Sequence, residues 1–321
     1  MPSGATDNAQ SRAALLQLGA VLGRSDYAFV TVSPSSHRRV NRRPGNELAA
    51  DLRGVFGWNR PFDEHLLAPE MIALMGEANI LQRQAGTCKS ALRAATLDGR
   101  LYFHSAFPTR EADAVFLGPD TYRFVTVLQA ALDGGAQVRR AVDIGCGAGP
   151  GALTIAALMP HAEVWATDIN PRALELSTVN AQLAGLGNVR VAHSDLLRGL
   201  EGRFDLIASN PPFMSGAGQR LYSDGGGALG EGLSIDIVNC AIARLAPGGT
   251  LVLYTCVAII DGADPFRERA GALLDAAGCT WHYREIDPDL FGAELGREGH
   301  RHTDRIAAVA LVATATTTEF P

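Results

Sequence analysis

From Arg139 onward, short apolar runs alternate with longer segments in which apolar residues recur at helical spacing. The runs predict strands at 140–144, 163–167, 189–194, 204–209, 250–257, 279–286 and 305–315, and the segments predict helices at 151–159, 171–185, 232–246 and 265–277. Strands that alternate with helices form a parallel sheet with right-handed crossovers, so the pattern predicts an α/β fold. No long helical pattern separates the last two strands, and we expect the final strand to return antiparallel.

The earlier part of the chain has a different pattern. Ser11–Leu22 predicts an amphipathic helix and Tyr27–Val32 a short strand. Helices at 47–56 and 64–81 precede alternating segments at 90–96 and 100–104, and the Asp98-Gly99 pair between those segments predicts a hairpin. The order predicts a small α+β domain of winged-helix-like form over residues 1–112, ahead of a larger domain over 113–321. Such a shape does not decide the partner.

Composition narrows the class of protein. The 321 residues are 47% apolar and 19% charged, which is enough to fill a globular core. Because the net charge is −6, a nucleic-acid partner requires a local basic patch. The run His37–Pro44 (HRRVNRRP) is the densest cationic stretch. We weigh a phosphate contact there against a solvated loop, and favour the loop because no aromatic residue interleaves with the arginines.

The cysteines and the apolar runs indicate the cellular compartment, and one group of histidines bears on metal binding. Five cysteines without a Cys-x-x-Cys pair predict free thiols in a reducing compartment, and no apolar run reaches membrane-spanning length. We therefore expect a cytoplasmic protein without a membrane partner. His300, His302 and Asp304 lie close together in the sequence, but no further ligands follow at suitable spacing, so we expect no metal.

The larger domain is organised around the segment from Asp143 to Asp168. A strand ends at Ile144, a turn with glycines at 145, 147 and 149 follows, and Pro150 suits the first position of a helix. The glycines allow a sharp bend and let a ligand lie against the main chain. A dinucleotide loop would have its third glycine where Pro150 stands, and proline removes an N–H that a pyrophosphate needs. We therefore expect a nucleoside without phosphates, with Asp168 accepting bonds from its ribose hydroxyls.

This segment resembles motif I, D-x-G-x-G-x-G, of the class I S-adenosylmethionine (SAM)-dependent methyltransferases. The motif is met by Asp143, Gly145, Gly147 and Gly149. The resemblance implies SAM as the cofactor, a Rossmann-like seven-stranded sheet, and cofactor contacts from these residues and from Cys146 between them. The competing interpretation is a tight strand-to-helix turn without a ligand.

A second motif, Asn210-Pro211-Pro212-Phe213, follows the fourth strand. Each proline keeps the residue before it out of the helical region, so the Asn210 side-chain oxygen and the Pro211 carbonyl are held outward together. Two adjacent acceptors match the two N–H groups of a primary amide or an exocyclic amine. Accepting both bonds stabilises the transition state, in which the nitrogen becomes pyramidal and gains positive charge.

The second motif resembles motif IV, N-P-P-[YF], of methyltransferases that act on planar nitrogens. The resemblance implies catalytic roles for Asn210, Pro211 and Phe213. We expect Phe213 to lie against the flat face of the methyl acceptor. A hydrophobic plug beneath the loop also accounts for Phe213 taken alone.

Two further segments carry candidate cofactor contacts. Pro119-Asp120-Thr121 resembles the proline-acid-threonine element of release factor glutamine methyltransferases, which implies a contact from Thr121, and we expect Arg123 to reach the cofactor carboxylate. The alternative is a helix N-terminus capped by Asp120. After the third strand, Asp195 is expected to accept from the adenine amino group and Leu196 to cover the ring, whereas a helix cap explains Asp195 equally well.

These motifs predict an enzyme that moves a methyl group from SAM to a planar nitrogen of a protein glutamine, a small molecule or a base. An RNA base N-methyltransferase that uses the arginines at 38–43 is one alternative, and it predicts salt-sensitive binding. The alternative of another class is a nucleic-acid-binding or scaffolding protein with a SAM-sensing or vestigial pocket. The intact Asn-Pro-Pro-Phe argues against that alternative, and Pro150 disfavours a nicotinamide dehydrogenase. The N-terminal domain is a candidate homodimer interface, and we expect the glycine-rich segment 214–232 to form a lid.

Overall fold

A computed structural model describes residues 3–84, 86–109, 111–135, 137–213, 225–226, 230–296 and 300–317. The helices are α1 (Ser3–Arg24), α2 (Pro34–Asn41), α3 (Pro69–Glu77), α4 (Pro119–Leu132), α5 (Pro150–Leu158), α6 (Pro171–Leu183), α7 (Gly232–Arg244) and α8 (Pro265–Ala276). The strands are β1 (Leu81–Gln84), β2 (Thr87–Ser90), β3 (Leu92–Leu97), β4 (Arg100–Ser105), β5 (Arg140–Ile144), β6 (Glu163–Asp168), β7 (Val189–His193), β8 (Phe204–Ser209), β9 (Leu245–Ile259), β10 (Thr280–Asp287) and β11 (Arg305–Thr314). Arg53–Gly57 forms a π-helical turn, and Glu64–Leu66 and Gly292–Gly296 are 3-10 turns.

The described residues of the second half form a seven-stranded sheet in the order β10-β11-β9-β8-β5-β6-β7. β5, β6, β7, β8 and β9 run parallel, and β11 lies antiparallel between β9 and β10. This confirms the predicted α/β fold and the antiparallel final strand. The largest difference in a strand boundary is at β9, which begins at Leu245 rather than at 250 and ends at Ile259 rather than at 257.

Helices cover both faces of this sheet. As a result, alternate residues along its strands belong to two separate apolar cores. Ala141 and Leu206 join the core beneath α4, α5 and α6, whereas their neighbours Val142 and Ile207 join the core beneath α7 and α8. A sheet buried on both faces is typical of α/β proteins, and it accounts for the nearly continuous apolar runs in the sequence.

The first hundred residues combine helices with two antiparallel hairpins, β1-β2 and β3-β4. The predicted Asp98-Gly99 turn joins β3 to β4, and both residues have positive φ, 49° and 72°, as the tight hairpin turn requires. The apolar core of this region is continuous with the core on one face of the sheet. The domain boundary at 112 and the winged-helix-like form stay predictions.

Three local predictions in this region were wrong. Tyr27–Val32 is not a strand, because its main chain pairs partly with side chains: the Phe29 N–H donates to the Thr96 hydroxyl. The predicted loop His37–Pro44 begins as α2, since Ser33 caps the helix, Pro34 starts it, and His37 is buried on its inner face. The helices predicted at 47–56 and 64–81 are reduced to the π-helical turn, a 3-10 turn and α3, which begins at a proline.

One fully buried side chain joins the N-terminal region to the sheet. The Asn180 amide oxygen on α6 accepts from the Phe103 N–H (2.9 Å), and its amide nitrogen donates to the carbonyl oxygens of Phe103 (3.1 Å) and Ala148 (2.8 Å). Phe103 lies on β4, and Ala148 lies in the glycine-rich turn after β5. Removing this amide would leave buried main-chain groups without partners, which costs more than the bonds themselves contribute.

We expect Asn180→Ala to lower the free energy of unfolding by about 2–4 kcal/mol, because it leaves three buried main-chain groups unpaired. Thr178→Ala is the matched control on the same helix, since the Thr178 hydroxyl donates only within α6, to Leu174 (2.8 Å). Urea unfolding of both variants measures the difference. Equal losses in the two variants would contradict the role assigned to the Asn180 amide.

Candidate active site

The turn after β5 is open on one side. Gly145 and Gly147 have φ values of 70° and 55°, which favour glycine. A Cβ added at Gly145 would meet no atom within 4 Å, and one added at Gly147 would meet only Val115, at 4.0 Å. At Gly149 and Gly151 the same space is filled, and a Cβ at Gly151 would lie 2.6 Å from a carboxylate oxygen of Asp143. The first two glycines therefore leave room for a ligand, and the last two allow close packing.

The polar groups of this turn are bonded to β6 and α6. The N–H groups of Gly145 and Cys146 donate to the Thr167 carbonyl at 2.8 and 2.9 Å, and the Gly147 N–H donates to Asp168 at 3.0 Å. From below, the Ser177 hydroxyl donates to the Gly147 carbonyl at 2.8 Å. These bonds fix the turn before any ligand arrives.

Asp168 ends β6 beside this turn. Its second carboxylate oxygen accepts from the Asn170 N–H at 2.9 Å, and burial raises the pKa of Asp168 above its usual value while the bonds from Asn170 and Gly147 oppose that rise. A carboxylate offers about four lone-pair sites, so two stay open for ribose hydroxyls. The neighbouring Ile169 is 46% exposed, and sequence reasoning missed it. An apolar residue directly after the strand-end acid was the available signal.

Asp143 and Cys146 lie behind the turn. Asp143 is buried and accepts from the Ala152 N–H of α5 at 2.9 Å, and burial raises its pKa to about 7. The Cys146 thiol is buried 3.3 Å from the Ser177 hydroxyl, and burial raises its pKa well above the usual value. Both side chains face packed structure, so a cofactor contact from Cys146 would come through its main chain.

Asn210 lies directly beside the glycine turn. Ile144 and Ser209 are paired across the parallel strands β5 and β8, and the Ser209 hydroxyl donates to the Ile144 carbonyl at 2.7 Å. Gly145 and Asn210 are the residues that follow this pair. Asn210 is partly exposed, and its side chain makes no hydrogen bond within the part of the chain that the structure describes.

Phe213 is held on two sides. Its ring centroid is 5.0 Å from that of Phe291, and a Cβ added at Gly225 would lie 2.8 Å from the Phe213 Cα and from the Pro212 carbonyl oxygen. Gly225 therefore packs tightly against the Asn-Pro-Pro-Phe loop. Of the predicted lid, residues 214–224 and 227–229 lie outside the described residues.

The Pro119-Asp120-Thr121 element begins α4. Thr121 accepts from the Gly118 N–H at 3.3 Å, which closes the first turn. Asp120 is buried and accepts from the Tyr254 hydroxyl at 3.1 Å, while the Arg123 guanidinium binds Asp120 at 3.3 Å and Asp287 at 3.0 Å. Asp120 thus contacts Tyr254 and Arg123. A contact between Arg123 and a cofactor carboxylate stays a prediction, and it would compete with two carboxylates already present.

Asp195 follows the end of β7, whose last residue His193 pairs with Asp168. Its side chain is 55% exposed and forms an ion pair with Arg198. Leu196 has a φ of 51° and is partly buried. A contact with adenine by either residue stays a prediction, and the structure has a turn rather than a helix here for Asp195 to cap.

Apart from Thr121 and Arg123 on α4, the candidate residues lie at or just beyond the carboxyl ends of β5, β6, β7 and β8. Doubly wound sheets bind their ligands at this edge. The open glycines, the remaining acceptor sites of Asp168 and the exposed Ile169 fit a nucleoside that bears an apolar ring and ribose hydroxyls. Fold and site together define a Rossmann-like protein that binds a nucleoside cofactor.

Comparison with known proteins identifies the family. Residues 121–256 match the family "Methyltransferase small domain". The release factor glutamine methyltransferase of Deinococcus radiodurans is 37% identical over 213 residues, which cover 62% of this chain and 70% of that protein. The ribosomal protein uL3 glutamine methyltransferase of Neisseria meningitidis serogroup A is 34% identical over 127 residues, which cover 36% of this chain and 42% of that protein. The solved structure of Trm5b from Pyrococcus abyssi aligns with a TM-score of 0.49 at 17% identity. The alignment covers 74% of this chain and 62% of the Trm5b chain.

The chain belongs to the small-domain family of SAM-dependent methyltransferases. It is an enzyme that uses SAM as its methyl donor. This confirms the class and the cofactor that the two sequence motifs predict, and it sets aside the alternatives of a scaffolding protein and a dehydrogenase.

Within the described ranges, no group of three or more His, Cys, Asp or Glu side chains could hold a metal ion. None of the helices in those ranges is long and apolar enough to cross a membrane.

We expect Gly145→Ala to weaken SAM binding at least about tenfold, because its Cβ would enter the space left for the ligand. Gly185→Ala is the matched control: Gly185 has a φ of 68° against 70° at Gly145, and a Cβ there also meets no atom within 4 Å. Gly185 lies beyond the end of α6, away from the site. Isothermal titration with SAM, together with thermal unfolding, separates lost affinity from backbone strain, and equal SAM affinities in the two variants would contradict the assignment.

We expect Asp143→Asn to change how stability depends on pH. The folded-state pKa of about 7 lies above the usual value of 3.8, so wild-type Asp143 contributes stability that is present below its unfolded-state pKa and lost as the pH rises through 7. An asparagine can still accept from Ala152 but does not titrate. Between pH 5 and pH 8 the wild type should therefore lose about 1–4 kcal/mol of unfolding free energy relative to the variant. Urea unfolding of both proteins at each pH measures this difference. A difference that stays constant over that range would disprove the shift.

Proposed function

We propose that this enzyme transfers the methyl group of SAM to the side-chain amide nitrogen of a glutamine in a protein. The observation that carries the proposal is the free amide of Asn210 at the end of β8, next to the open glycine turn at the end of β5. Two relatives, from Deinococcus radiodurans and Neisseria meningitidis, are named for glutamine methylation of a release factor and of ribosomal protein uL3, which supports the same acceptor here.

The glycine turn and Asp168 would hold the cofactor. The main chain at Gly145 and Gly147 would lie against it, and Asp168 would accept from its ribose hydroxyls. Ile169 would cover its apolar ring. When bound, SAM supplies an electrophilic methyl group on a positively charged sulfur.

Asn210 and Pro211 would orient the acceptor amide. The Asn210 side-chain oxygen and the Pro211 carbonyl oxygen accept hydrogen bonds from the two N–H groups of the acceptor amide. These bonds orient the nitrogen lone pair toward the methyl group. An amide nitrogen is a poor nucleophile because its lone pair is delocalised. The two acceptors stabilise the positive charge that develops on nitrogen as it becomes pyramidal, so their effect is largest in the transition state.

The proton balance of the reaction requires no strong base before transfer. The amide nitrogen takes the methyl group as the S–CH3 bond breaks and its electron pair stays on sulfur, which leaves as a neutral thioether. The positively charged nitrogen then releases one of its two protons to solvent. Phe213, packed against Phe291, would bound the acceptor on one side and keep its plane aligned.

The substrate protein would be a release factor or ribosomal protein uL3, the substrates named for the two relatives. A purified release factor, purified uL3 and a short RNA, each incubated with SAM and the enzyme, test this by mass spectrometry of the products. Methylation of a glutamine in either protein supports the proposal. Methylation of the RNA alone would overturn it in favour of the base methyltransferase that the sequence also allowed.

We expect Asn210→Ala to reduce methyl transfer about 10²–10³-fold while SAM affinity changes little, because the lost acceptor acts mainly on the transition state. Gly145→Ala should show the opposite pattern, with a loss of SAM affinity. Initial rates at saturating SAM and titration with SAM distinguish the two. A variant of Asn210 that retains its rate would show that this amide does not bind the acceptor.

A further inference from the structure

A cationic surface lies on α2, far along the chain from the methyl-transfer residues. It consists of the four exposed arginines Arg38, Arg39, Arg42 and Arg43, which we call the α2 surface. None of the four pairs with a carboxylate in the described part of the chain, and the sequence from 34 to 46 contains no Asp or Glu. A protein of net charge −6 thus carries a local region of uncompensated positive charge.

The fold holds this surface rigid. His37 is buried on the inner face of α2, with its ring 4.1 Å from that of Phe107 and 5.5 Å from that of Trp58. The Asn41 amide donates to the Trp58 carbonyl at 2.9 Å. Because one face of α2 is fixed in this way, the arginines project from the other face and from the residues that follow it.

An aromatic residue, Trp58, packs beside α2, with its ring 5.5 Å from that of His37. The guanidinium of Arg60 lies 5.7 Å from the centre of the partly exposed Trp58 ring, and its Nε donates to the Asn41 side chain at 2.9 Å. Trp58 is distant from α2 in the sequence, so the sequence pattern did not show its contacts with His37 and Asn41. Arginines beside an aromatic ring are the combination that binds single-stranded nucleic acid.

Further positive charge lies beneath α2. Arg93 is buried, donates to the Ser105 carbonyl at 3.1 Å, and has no carboxylate partner in the described residues. Lys89 donates to the Phe107 carbonyl at 3.2 Å. Burial, together with the charges of Arg93, Lys89 and Arg60, lowers the pKa of His37 to about 4. Among acidic groups, Asp51 acts on Arg60 and accepts from the Gly54 N–H at 2.6 Å, and the exposed Glu47 follows the arginines in the sequence.

The α2 surface is also tied to the methyl-transfer domain. Three residues before α2, the Thr31 N–H donates to the Tyr122 hydroxyl at 3.0 Å, and that hydroxyl donates to the Thr96 carbonyl at 3.2 Å. Tyr122 follows Thr121 in the first turn of α4. A partner bound on α2 would therefore have a fixed orientation relative to the active site.

We propose that the α2 surface binds single-stranded RNA, with its arginines on the phosphates and Trp58 against a base. Guanidinium groups match phosphate oxygens in a bidentate geometry, and the tryptophan adds a stacking surface that an acidic protein would not need. This RNA is a docking partner and not the methyl acceptor. The inference goes beyond the proposed glutamine methylation and does not depend on it.

The experiment titrates the full-length protein, without SAM, into a short fluorescent single-stranded RNA at increasing KCl concentrations. We expect the logarithm of the association constant to fall with the logarithm of the salt concentration by about 0.7 per phosphate contact. The variant Arg38→Gln/Arg39→Gln should bind about tenfold more weakly, with a slope smaller by about 1.4. Arg190→Gln/Arg284→Gln, which removes two exposed arginines outside the α2 surface, is the charge-matched control and should bind RNA as the wild type does.

Further measurements test the other parts of the proposal. RNA should quench tryptophan fluorescence in the wild type, and much less so in Trp58→Phe, whose folding is checked by thermal unfolding. Arg38→Gln/Arg39→Gln should bind SAM as tightly as the wild type does, since the α2 surface is not part of the cofactor site. The proposal is overturned if the two double variants bind RNA equally, or if polyglutamate displaces the RNA as effectively as unlabelled RNA does. Quenching that is unchanged in Trp58→Phe would also contradict the role given to that ring.

Discussion

The turn after β5 depends on hydrogen bonds from elements that come later in the chain. Its three glycines with positive φ cannot be held by side-chain packing of their own, because they have no side chains. Ser177 and Asn180 of α6 bind its carbonyl groups, and Thr167 and Asp168 of β6 bind its N–H groups. The turn is therefore preorganised, which reduces the ordering cost of binding a cofactor. Because Asn180 also binds β4, the N-terminal region is attached to the same point.

Binding and chemistry are divided between neighbouring strands. In the proposed mechanism, β5 and β6 supply the open turn and the carboxylate for the cofactor, and β8 supplies the loop for the acceptor. The bond from Ser209 to the Ile144 carbonyl holds the ends of β5 and β8 together. Methyl transfer slows greatly when the distance between methyl donor and methyl acceptor is even slightly wrong. A direct hydrogen bond between the two strand ends helps to keep that distance fixed.

Electrostatics separates two regions of this enzyme. Asp143 and Asp168 lie behind and beside the glycine turn, and burial raises the pKa of both. Around α2 the charge is positive and uncompensated. The proposed RNA partner would meet the enzyme at this positive region.

The sequence by itself determined the strands and helices of the second half, the glycine turn and the Asn-Pro-Pro-Phe loop. Each of these depends on local features: the period of apolar residues, positive φ at glycine, or the restriction that proline places on its neighbour. The sequence also suggested which edge of the sheet carries the site, because the carboxyl ends of parallel strands lie together. Local pattern failed at Tyr27–Val32 and at α2, where pairing with Thr96 and burial against Phe107 decide the conformation.

Only the tertiary structure decided which side chains meet across long separations. It pairs Arg123 with Asp287, 164 residues away, and directs Asp143 toward α5 instead of the open side of the turn. It brings Trp58 to His37 and Asn41 of α2 and joins Asn180 to Phe103. Such contacts depend on how whole elements pack, since a hydrogen bond or a ring contact requires positions accurate to a fraction of an ångström. No spacing along the chain specifies those positions.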